Sequence, residues 1–109
     1  MKRVAIFALF LIIASGALFA EATFQLDVTI THMSSTPEGL LIMINKPVPD
    51  NCIGTAYGWL LIPQNDTAMI SAAFFAFERE KTISIYTSGI GRSGFGEINQ
   101  LDLGGPHNK

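Results

Sequence analysis

His32 and His107 are the only histidines in the chain and Cys52 is its only cysteine, so metal or nucleophilic chemistry would have to start from these three residues. No acid or cysteine stands at metal-ligand spacing from either histidine, whereas ligand sets usually show as local clusters. Neither a metal site nor a histidine base is expected, and no cofactor is implied. Cys52 and His32 would meet only through folding, without the local signature that marks a cysteine nucleophile. No serine sits in a glycine elbow. Glu78 and Glu80 are two apart, a spacing that sends them to different faces of a helix, so they read as solvated charges rather than a carboxylate pair. Gly89, Gly91 and Gly94 separate two strand-like runs, which leaves no helix N-terminus for a phosphate. No catalytic residue is expected.

The residues that could bind are aromatic. Tyr57, Trp59 and Tyr86 fall at alternate strand positions, where rings can form a stacking platform for a ligand or can equally belong to the core. Phe74, Phe75 and Phe77 lie in a helical stretch. Since residues step about 100° round a helix, the three cannot all face one small sheet. They are the candidate surface for self-association.

Those residues must be positioned by short elements. Thr23 to His32 alternates, with Phe24, Leu26, Val28 and Ile30 on one face, and predicts one long half-buried strand. Ser34 to Gly39 is a hairpin loop. Leu40 to Asn45 is a continuous apolar run suited to a strand buried on both faces. Pro47 and Pro49 break the chain, and a third strand is expected from about Thr55 to Ile62. Asn65 or Asp66 is placed to cap a helix over Thr67 to Glu80, although Asn65, Asp66 and Thr67 also satisfy a glycosylation sequon. That helix is apolar nearly all round, which calls for cover on more than one side. A second subunit would supply it, as would a groove closed by loops. Ile83 and Ile85 mark a fourth strand, Ser88 to Gly94 a turn, and Phe95 to Leu103 a fifth strand. The resulting expectation is a mainly β domain with one helix, a five-stranded OB-like Greek-key barrel in the order β-β-β-α-β-β.

Met1 to Ala20 joins a basic pair, Lys2 and Arg3, to an uncharged apolar run ending in small residues, the layout of a secretory signal peptide. Cleavage is expected after Ala20 or Ala22. The rival is an uncleaved anchor, but the run is slightly short of the roughly 20 residues of a spanning helix and nothing basic follows it. The expected organisation is a leader over 1–20, a domain over 21–104 and a disordered tail over 105–109. The product would be secreted or periplasmic, with no membrane attachment after cleavage. About 88 residues would remain, enough for one small core. The formal net charge of the chain is −2, and without a basic cluster nucleic acid is not an expected partner. A lone cysteine rules out an internal disulfide. Cys52 is then a buried thiol or a group free to pair with another chain.

From Cys52 onward the chain resembles small exported bacterial proteins of uncharacterised function. The likeness runs through Cys52, Tyr57, Gly58 and Trp59, the alanine-rich stretch opening near Met69, the run Lys81 to Gly89, and Gly94 to Asp102. The layout is similar, more distantly, to the pentameric B subunit of subtilase cytotoxin, an OB-fold whose helices line a pore and whose sheet binds sialylated glycans. Those exported proteins tend to carry a second cysteine where this chain has Gly96, so the disulfide that the resemblance implies is absent here. None of the toxin's sugar-binding residues can be matched to this chain. The resemblance implies an exported, non-catalytic, toxin B-subunit-like binding module that forms a homo-oligomer and recognises a glycan or protein surface. The alternative is an exported structural or accessory protein that docks its apolar helix on another protein.

Overall fold

A computed structural model describes residues 22–104, and the leader (1–20) and tail (105–109) read from the sequence lie outside them. The described chain forms β1 (Phe24–Val28), β2 (Ile30–Thr36), β3 (Gly39–Ile44), β4 (Leu60–Pro63), α1 (Thr67–Glu78), β5 (Ile83–Ile90) and β6 (Gly96–Asp102). The strands make one mixed sheet in the order β1-β5-β6-β4-β3-β2. All neighbours are antiparallel except β4 and β6, which run parallel through Leu60 opposite Gly96 and Leu61 opposite Glu97.

The expected five strands are six, because the first is divided. Asp27 takes a left-handed φ of 53°, a region that Asp visits more readily than most residues, and the pairing register slips between Gln25 and Val28. Through Val28 the chain pairs with β5, and from Ile30 onward it pairs with β3. One nearly continuous segment therefore supplies both ends of the sheet order. Backbone groups freed at the kink must find other partners. Thr29 N donates to Asn45 Oδ1 at 3.0 Å, Asn45 N donates to Thr29 O at 3.1 Å, and Lys46 Nζ donates to Leu26 O at 2.9 Å.

The kink also reverses which side chains face inward. Val28 and Ile30 are buried as expected, but Phe24 and Leu26 are each 43% exposed. Their assignment to one buried face is corrected. The third strand begins later than expected, at Leu60, because residues 50–58 fold into two 3₁₀ turns. The fourth strand runs on to Ile90 through part of the expected turn, pairing Gly89 with Glu97 and Ile90 with Gly96.

The core joins Val28, Ile30, Leu40, Ile42, Leu60, Ile62, Ile83, Ile85 and Ile98 of the strands to Met69, Ala73 and Ala76 of α1 and to Cys52. The helix starts where the Asp66 carboxylate accepts the Met69 N–H at 3.3 Å, satisfying an otherwise orphaned donor. It ends two residues before the expected Glu80, which takes φ 54°, as Lys81 N reaches back to Ala76 O at 2.9 Å.

Candidate binding surfaces

The β3–β4 connection holds Tyr57 where a strand was expected to hold it. Gly54 and Gly58 take φ of 99° and 78°, and between them Tyr57 itself takes a left-handed φ of 54°. An aromatic residue in that region is an outlier of a kind that concentrates at functional sites. The chain on either side is fastened. Thr55 Oγ1 donates to Trp59 O at 2.6 Å and accepts from Gly96 N at 2.8 Å, and Ala56 N donates to Gly94 O at 3.2 Å. The loop thus presents a Tyr57 side chain that is 88% exposed.

Tyr57 stands at a cleft of about 440 Å³ with Thr31 and His32 of β2, Met43 and Ile44 of β3, and Lys46. The His32 ring lies beside the Thr31 hydroxyl, with Nδ1 3.1 Å from Oγ1. This gives an aromatic ring, a cation, an imidazole and an apolar floor within one opening, a composition suited to binding. A second cleft of about 470 Å³ is lined by Thr29, Ile30, Thr31, Phe77 and Glu80, and Thr31 belongs to both.

The three aromatics that spacing grouped together do not share this opening. Trp59 is half-buried and does not line the cleft, and Tyr86 is on β5. The Tyr86 ring meets Phe24 instead, with centroids 6.1 Å apart and planes tilted by 37°. Phe24 and Leu26 are surface residues that sequence reasoning missed. Their alternation with Val28 and Ile30 is unbroken, so only Asp27, a residue tolerant of left-handed backbone, hinted at the change of phase.

On α1, Phe74, Phe75 and Phe77 are 52%, 42% and 39% exposed. The inward stripe is Met69, Ala73 and Ala76; the two alanines are small and let the helix approach the strands closely while its large rings turn outward. The Arg79 guanidinium lies 4.8 Å from the Phe75 ring centroid, a cation–π contact.

Among the described residues, no three His, Cys, Asp or Glu side chains gather as a metal ion would require. The Cys52 thiol is free and buried. Burial pushes its ionisation above the ordinary thiol value, and hydrogen bonds from the Thr87 side chain and the Gly89 backbone offset part of that rise. Residue 96 is its neighbour, since a Cβ built on Gly96 would lie 2.7 Å from Cys52 Cβ and also against Sγ. Beside it, Thr87 Oγ1 donates to Asn51 Oδ1 at 2.6 Å and Asn51 Nδ2 donates to Thr87 O at 3.1 Å.

No family model matches the chain, and neither a curated protein nor a solved structure of significant similarity is found.

Proposed function

We propose that this chain is an exported, non-catalytic binding module on an OB-like Greek-key barrel, self-associating and recognising a glycan or protein surface. Three features support the barrel. The kinked segment β1–β2 supplies both ends of the sheet order, β4 and β6 run parallel, and α1 falls between β4 and β5. Counting β1 and β2 as one strand returns the order β-β-β-α-β-β of a five-stranded barrel that closes on its first strand.

The observation that carries the binding role is Tyr57. A large amphipathic ring held exposed by left-handed backbone forfeits its own burial and adds strain, and a ligand or partner seated at the cleft would restore the burial. Export rests on the leader pattern; among the described residues, no helix is long and apolar enough to cross a membrane. The test is to purify the protein and screen it on a glycan array and a panel of cell-surface proteins, alongside Tyr57→Ala. Binding by the wild type that falls at least about tenfold in the variant, or about 1.4 kcal/mol, supports the reading. Binding that Tyr57→Ala leaves unchanged overturns the role of Tyr57, and no binding at all overturns the module reading.

The exposed Phe74, Phe75 and Phe77 favour a second reading, an accessory protein whose helix docks on a different protein. Capture of one defined partner through these phenylalanines, with no glycan bound, would decide for it.

A further inference from the structure

Phe24 of β1, Tyr86 of β5 and Gln100 of β6 stand directly opposite one another across three adjacent strands. Residues opposite each other in a sheet project to the same face. That face is the outer one, because Ile83, Ile85 and Thr87, which alternate with Tyr86, are buried. Next along the strands come Leu26, 43% exposed, and the pair Ser84 and Asp102. The row runs from two touching aromatic rings to an exposed amide, flanked by a hydroxyl and a carboxylate.

We infer that this row is a subsite for a neutral pyranose ring. The inference rests on the binding-module reading above and gives it a second surface and a ligand class. A pyranose carries one apolar face of C–H groups and a rim of hydroxyls. The exposed Phe24 ring and the half-buried Tyr86 ring offer a π surface to the first. Gln100 brings both a donor and an acceptor to the second, and Ser84 and Asp102 add further acceptors. Asp102 Oδ1 accepts from Gly104 N at 2.9 Å, which holds the carboxylate at the end of the row. Charge selects against acidic sugars. The charged residues within β1, β5 and β6 are Asp27, Glu97 and Asp102, with no lysine or arginine. Lys46, whose ammonium donates to the Leu26 carbonyl oxygen, lines the Tyr57 cleft.

The experiment is saturation-transfer NMR on the purified exported protein with lactose, maltose and cellobiose as neutral probes and 3′-sialyllactose as the acidic one. It is paired with backbone amide shifts to locate the contact. The expected result is saturation of ring C–H protons of at least one neutral disaccharide, with shifts at residues 24, 86 and 100. Affinity should be in the millimolar range and fall about tenfold in Tyr86→Ala. Gln100→Ala and Phe24→Ala, at exposed positions, should weaken binding in a folded protein if Tyr86→Ala proves unstable. Neutral binding whose shifts fall at Thr31, Met43 and Tyr57 sinks the subsite while leaving the module reading intact. Preference for sialyllactose sinks the charge argument and with it the proposal. Shifts at residues 24, 26 and 86 that depend on protein concentration, with no sugar bound, show that a second copy covers the face and overturn the proposal.

Discussion

Cys52 shows how one side chain can be fixed by its surroundings rather than by chemistry of its own. Its thiol is buried, and because burial disfavours the thiolate, the folded chain keeps a proton that the unfolded chain releases once the pH passes the ordinary thiol value. Stability tied to this group is therefore complete below that value and declines above it. The melting temperature of the wild type should fall more steeply than that of Cys52→Ala between about pH 8 and about pH 10, and equal slopes would contradict this. The same burial predicts that a thiol reagent labels the native protein only as fast as it opens, and labels it at once in denaturant. Gly96 is the complementary case, where space decides. A Cβ there would press on Cys52 and stand 3.0 Å from Leu60 Cδ2, so Gly96→Ala should cost about 1–3 kcal/mol by overpacking. Urea denaturation measures it, and Cys52→Ala in the same chain should return part of the loss. That a lone cysteine would be buried was one of two readings open in the sequence. That it would fill the space beside a glycine 44 positions later was not, because contact between β6 and the turn before β4 is a tertiary fact.

The elements divide by how local their causes are. The helix was legible because its start signal and its period lie within a dozen residues. Asp66 caps it through the Met69 N–H, so Asp66→Ala should lower stability by about 1 kcal/mol, while Asn65→Ala should leave it nearly unchanged. Thermal unfolding of both variants tests this, and equal losses would assign the cap wrongly. The two strands after the helix were legible in number, whereas before it three were expected and four form, and the extents were less legible throughout. Nothing in residues 23–32 announces that their first half will pair with β5 and their second with β3, so the apolar alternation pointed Phe24 and Leu26 inward when the left-handed Asp27 turns them out. Tyr57 and Trp59 failed as a strand pair for a related reason. Gly54 and Gly58 read as ordinary members of a run, yet both take positive φ, and with Tyr57 they coil the connection into turns. The three aromatics grouped by spacing thus came apart: Tyr57 joined His32 and Lys46 at a cleft, Tyr86 met Phe24, and Trp59 is half-buried away from the cleft.

At the scale of the whole molecule, large rings stand outside a small core. Aliphatic residues of the strands and two alanines of the helix fill the interior, leaving Phe24, Tyr57, Phe74, Phe75 and Phe77 at least 39% exposed. Singly exposed apolar residues are ordinary, whereas three exposed rings on one helix are the candidate surface for the self-association proposed above. If that surface joins copies of this chain, the wild-type protein should sediment as a multiple of its monomer mass, and Phe74→Asp should sediment as the monomer with an unchanged circular dichroism spectrum. Phe74 is the most exposed of the three helical rings. A carboxylate there is solvated in the free subunit at little cost, whereas in an assembled interface it would be desolvated without a partner at a cost of several kcal/mol. Analytical ultracentrifugation at high micromolar concentration reads both proteins. A monomeric wild type would remove self-association and leave the helix to a different partner. A variant that unfolds would mean that Phe74 packs within its own domain, and the inference from its exposure would fail.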